Sequence, residues 1–83
     1  MRNAIIRDVV VTADYAALAS GRTPFSGTIQ APPSNAAAVT IQGDDGSDCE
    51  LLAGESNTWT NIDLSLILVK GTPGDVVAIR GGD

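Results

Sequence analysis

NIDLSLILVKGTPGDVVAIRGG, residues Asn61 to Gly82, is the stretch whose reading decides the fold. It reads as a long apolar strand, a turn carrying Gly71, Pro73 and Gly74, and a returning strand over Val76–Arg80. In the first strand Ile62, Leu64, Leu66 and Leu68 share one face. Asp63, Ser65, Ile67 and Val69 share the other, which changes from polar to apolar halfway along. That change predicts a strand that starts at a solvated rim and ends covered on both sides. The return places Val77 and Ile79 on one face, and Val76, Ala78 and Arg80 on the other. A hairpin this hydrophobic is not stable alone in water, so further strands must cover it.

Working outward, Ala4–Thr12 (AIIRDVVVT) is β-branched and alternating. Ile5, Val9 and Val11 fall on one face, Ile6 and Val10 on the other. Ala13–Ser20 (ADYAALAS) is Ala-rich, with Tyr15, Leu18 and Ala19 at helical spacing and Gly21 to close it. A short helical turn or an irregular excursion fits it equally, because eight residues are few for a helix. Phe25–Ala31 is a strand with Phe25 and Ile29 on alternate positions, stopped by Pro32 and Pro33. Ala37–Gln42 alternates cleanly, with Val39 and Ile41 inward. Gly43-Asp44-Asp45-Gly46 is a strong tight-turn signal, and Ser47–Ala53 follows as its partner strand. Gly54–Asn57 is a further turn, and Thr58–Thr60 a short β-prone piece.

About seven short strands at this spacing predict an all-β fold: a single small sandwich or barrel, jelly-roll-like, over residues 1–83. An extended N-terminal arm is expected over residues 1–7.

The composition narrows the chemistry. The chain has 83 residues, with five basic and ten acidic side chains and a net charge of −5. This balance opposes binding to nucleic acid or anionic lipid. The longest nearly uncharged apolar run, Leu64–Val69, is far too short to cross a bilayer as a helix. Met1-Arg2-Asn3 precedes an apolar run broken by Arg7 and Asp8, which is not a signal-peptide pattern. A domain of this size has a small core and gains from association. With Cys49 alone and no histidine, neither an internal disulfide nor a zinc site is available to take that part. A lone cysteine suits synthesis in a cytoplasm.

Without histidine no Ser–His or Cys–His pair exists, and Asp48 and Glu50 beside Cys49 discourage its thiolate. Asp44, Asp45, Asp48, Glu50 and Glu55 cluster in sequence but fall on or beside turns, where aspartates bond their own backbone. GDDGSD departs from the EF-hand pattern and lacks its final glutamate. GTPGD lacks the lysine of a phosphate loop and lies between strands. Arg80-Gly81-Gly82 is a single RGG unit at the end of an acidic chain. The expectation is a non-enzymatic protein without metal or cofactor. Trp59, in the polar setting Asn57–Asn61, is either an edge of the core or an interface anchor.

Three blocks carry a family resemblance: GTIQAPPSNA (Gly27–Ala36), VTIQGDDGS (Val39–Ser47), and IDLS with ILVKGTPGDVV (Ile62–Val77). They resemble small virion proteins encoded by tailed bacteriophages. The resemblance implies a capsid decoration or cement protein that binds the major capsid protein or another virion protein as a dimer or trimer, located in the virion. A tail, neck or fibre component is the alternative, and a small ligand-binding β-module is another. The residues expected at a partner interface are Ile5 and Ile6 on the arm, Tyr15, Leu18 and Phe25 at the excursion, and Trp59.

Overall fold

The computed structural model describes residues 4–82. Eight strands form two antiparallel sheets: β1 Ala4–Val10, β2 Ala16–Ala17, β3 Pro24–Gln30, β4 Val39–Gln42, β5 Asp48–Leu51, β6 Ser56–Asp63, β7 Leu68–Lys70 and β8 Val76–Gly82. One sheet has the order β1-β8-β3-β6 and the other β2-β7-β4-β5. Each of the pairs β1/β8, β2/β7, β3/β6 and β4/β5 is adjacent, so the chain is a nested hairpin rolled into a sandwich. This is jelly-roll topology. The expected all-β sandwich is the one found.

The nesting corrects the reading of Asn61–Gly82. It is not a hairpin: β7 pairs with β2 and β4 in one sheet, and β8 with β1 and β3 in the other. Only β4 and β5 form a sequence-local pair. Nor is Asn61–Lys70 one strand. A 3₁₀ turn at Leu64–Leu66 carries the chain from sheet to sheet. It shifts the face alternation, so Leu64, Ile67 and Val69 are buried, whereas Leu66 is 51% exposed.

Asp63 holds this crossing. Its Oδ1 accepts from Thr23 N (2.9 Å), Ser65 N (3.0 Å) and Ser65 Oγ (2.8 Å). The Thr23 amide, followed by the two Ser65 donors, holds its carboxyl below the usual aspartate range.

The core lies between the sheets, centred on Val11, Phe25, Ile29, Val39, Leu64, Val69, Val77 and Ile79. Phe25 covers the place where β3 and β8 come closest. There Gly27 stands opposite Gly81, and a Cβ on Gly81 would lie 2.8 Å from Gly27 Cα and 2.9 Å from the Phe25 ring. Glycine at both positions follows from that approach. Opposite, β6 has a bulge in which Asn61 takes a left-handed φ of 55° and donates from its backbone N to Ser26 Oγ. The bulge lets Trp59 and Ile62, three residues apart, pack against the same core.

The Pro32–Ala38 connection is pinned to the start of β8. Asn35 Nδ2 donates to Val76 O at 2.8 Å, while Val76 N donates to Asn35 Oδ1 at 2.9 Å. The side-chain amide thus replaces a strand neighbour. Asp75 accepts from the backbone N of Ala36 and Ala37.

Of the two readings open for Ala13–Ser20 the irregular excursion is the one found, and the strand read from Ala4 onward is present. Ala13–Ser20 contains no helix; Ala16–Ala17 pair with Leu68–Val69, and Leu18 N donates to Ile67 O. An eight-residue segment cannot offset helix nucleation, whereas the edge of β7 offers ready partners. The arm expected at 1–7 is, from Ala4 onward, the edge strand β1, paired with β8 from Ala4↔Gly82 to Val10↔Val76. Residues 1–3 of that arm lie outside the described residues.

Candidate functional site: the sandwich edges and an acidic cavity

Surfaces are read from what the sheets leave uncovered. On the outer face of the first sheet, β1 presents Ile6 (69% exposed) and Val10 (63%), on either side of Asp8. Asp8 pairs with Arg80 across the strands at 3.1 Å, both ends well exposed. Such a pair contributes little to stability. β1 is an edge strand, and no described residue pairs with its outer side.

Of the residues expected at an interface, Ile5, Leu18 and Phe25 are buried core residues. Ile5 points inward because the alternation that exposes Ile6 turns its neighbour to the core. Leu18 follows β2 back between the sheets, and Phe25 lies over the Gly27–Gly81 contact. Burial removes all three from the surface of the folded monomer. Tyr15 is half-buried on the second sheet. Its hydroxyl donates to Asp48 Oδ2 (3.2 Å), and Lys70 Nζ lies 4.6 Å from its ring centroid. The phenol is pushed up by the loss of surrounding water, then by the charge and hydrogen bond of Asp48. Tyr15 is thereby a strap across the sheet. Trp59 is partly buried against the core, with its indole N–H buried and without an acceptor among the described residues.

Sequence reasoning missed Val10 as an exposed residue, although its position on the Ile6 face was readable. It also missed Leu66, whose exposure depends on the 3₁₀ turn.

The second uncovered region is on the other side of the sandwich, where the Leu52–Glu55 link takes the chain from edge strand β5 to edge strand β6. A cavity of about 360 Å³ opens on this side at the other end of β5, between the β4–β5 turn and Trp59 of β6. Ile41, Cys49 and Trp59 form its apolar wall, and Asp44, Asp45 and Asp48 border it. The β4–β5 turn that carries these carboxylates is internally braced. Gly43 N donates to Ser47 O, and Asp45 Oδ1 accepts from Ser47 N (3.0 Å) and Oγ (2.6 Å). The Ser47 hydroxyl, then its amide, holds the Asp45 carboxyl below its ordinary value. Among the described residues no three His, Cys, Asp or Glu side chains converge as a metal-ligand set.

Fold and surfaces together define a small two-sheet jelly-roll protein with uncovered strand edges on both sides. No protein-family model, curated protein or solved structure matches the chain.

Proposed function

We propose that this protein is a structural component of a tailed-phage particle, a decoration or cement protein that docks on the capsid shell and acts without catalysis. The observation that carries the reading is β1, an edge strand bearing exposed Ile6 and Val10 on its outer face. A free edge with apolar side chains beside it suits strand addition by a partner, in which backbone hydrogen bonds give affinity and side chains give choice. Arg7 and Asp8 in mid-strand oppose indiscriminate pairing of edges and favour a partner with matching charges. Jelly rolls are common among viral capsid domains, which supports the reading by analogy of fold. The resemblance of the Gly27–Ala36, Val39–Ser47 and Ile62–Val77 blocks points the same way. Binding to a shell would also stabilise a small domain by mass action.

The test is cosedimentation with purified capsids lacking the protein. Saturation at hundreds of copies per particle, lost in Ile6→Lys/Val10→Lys, is the expected result. Saturation at a dozen or fewer would move the protein to a tail, neck or fibre position. No binding would end the virion reading.

A further inference from the structure

We propose that the Asp45–Gly46 peptide is a modification site, where the backbone passes through a succinimide into an isoaspartyl linkage, and that Ser47 holds this change back in the folded chain. The change is intrinsic to the chain and independent of any capsid contact. Asp45 is the one aspartate that glycine follows, and glycine follows no asparagine. The reaction is attack by a backbone nitrogen on the side-chain carboxyl of the residue before it. A side chain beside that nitrogen hinders the attack, and glycine has none. Asp45 and Gly46 are both exposed on the β4–β5 turn, and the space a Cβ would take on Gly46 is open. Solvent therefore reaches both residues.

In the first step Gly46 N bonds to Asp45 Cγ. The carboxyl reacts in its acid form, and its hydroxyl leaves with the amide proton as water. Water then adds back to the ring. Opening the bond between Cγ and nitrogen restores aspartate. Opening the bond between the Asp45 main-chain carbonyl carbon and nitrogen leaves the chain running through Cγ, with a free α-carboxylate. No atom is gained or lost overall, and solvent is the only co-reactant.

The turn opposes the first step at both reacting groups. Gly46 N already donates to Gly43 O at 3.1 Å. Asp45 Oδ1 accepts from Ser47 N (3.0 Å) and Ser47 Oγ (2.6 Å). Both Ser47 donors favour the carboxylate over the acid that reacts. Ring closure must give up all three bonds. The product has one more carbon in the main chain between Gly43 and Ser47, where Gly43 N now donates to Ser47 O at 2.8 Å. β5 is an edge strand with β4 as its one partner among the described residues, so the longer turn loosens the Gln42↔Asp48 end of that ladder.

The test is incubation of the full chain at neutral pH, folded and unfolded in urea, with new α-carboxylates counted by isoaspartyl methyltransferase. The folded chain should accumulate them at least about tenfold more slowly than the unfolded one. Ser47→Ala, which deletes the shortest of the three bonds, should speed the folded chain about fivefold. Ser47→Thr keeps the hydroxyl and should return it to the native rate. Asp45→Glu should abolish the signal, because its longer side chain closes the larger ring far more slowly. The proposal is overturned by equal rates in the folded and unfolded chain, or by an unfolded chain that gains no α-carboxylate. It is overturned too if Ser47→Ala has no effect, acts equally on the unfolded chain, or is not reversed by Ser47→Thr. A signal that survives Asp45→Glu would place the change elsewhere and end the proposal.

Discussion

Exchanging which leucine or isoleucine is shortened at the sheet crossing distinguishes the 3₁₀ turn from a continuous strand. In a continuous strand Leu66 shares the core face with Leu64 and Leu68, and Ile67 lies opposite. In the structure Leu66 is 51% exposed and Ile67 only 6%. Truncating a buried aliphatic side chain to alanine removes its transfer free energy and leaves a cavity, so Ile67→Ala should cost about 3 kcal/mol. Ile67→Val should cost about 1 kcal/mol. Leu66→Ala removes atoms already largely in water and should stay within about 0.5 kcal/mol. Equilibrium urea unfolding followed by Trp59 emission measures all three. With a slope of about 1 kcal/mol per molar for a chain this small, the midpoint falls by about 3 M, about 1 M and under about 0.5 M in turn. Leu66→Ala costing as much as Ile67→Ala would refute the crossing and restore the continuous strand.

Asn35→Ala should destabilise by about 2–4 kcal/mol in thermal melts, because both backbone groups of Val76 lose their partner at a mostly buried site. Asp8→Asn, which breaks only an exposed ion pair, should change stability by less than about 0.5 kcal/mol. Gly81→Ala should cost about 2–3 kcal/mol by overpacking, and Phe25→Leu should not rescue it, because backbone atoms of Ser26 and Gly27 block the new methyl. Asp63 has a lowered folded-state pKa, so its contribution is complete above the ordinary aspartate value and is lost as pH falls through the folded one. The melting difference between the native chain and Asp63→Asn should therefore be widest near neutrality and shrink in acid. A difference that is flat with pH would contradict the capping role.

Local patterns were legible in the sequence, and the routing between sheets was not. Val39 and Ile41 inward, Val77 and Ile79 on one face, Ile6 and Val10 on one face, and the tight turn at Gly43–Gly46 all follow from alternation and turn chemistry. What failed was the assumption that strands close in sequence pair with each other. In a nested hairpin only β4 and β5 do so, and the remaining partners are set by burial that a local window does not contain. LSLIL alternates as well as any strand. Its break is dictated by Asp63, whose carboxylate finds Thr23 forty positions away. The interface expectation suffered likewise: Phe25 and Leu18 are the large apolar residues a core needs. The cavity beside Trp59 was half legible, since the acidic turn was read as a turn but its closeness to β6 depends on the fold.

The pairing of Ala4 with Gly82 has a mechanical consequence. A pull applied between Ala4 and Gly82 acts at one corner, and its line runs along the hydrogen bonds instead of across them. The bonds then open one pair at a time, as in a zipper, rather than resisting together as they would in shear. Tension entering through that corner should peel β1 away at low force, whereas load carried through the body of the sandwich meets both sheets at once. In a single-molecule pulling experiment, handles at Ala4 and Gly82 should give a much lower rupture force than handles placed on β4 and β6.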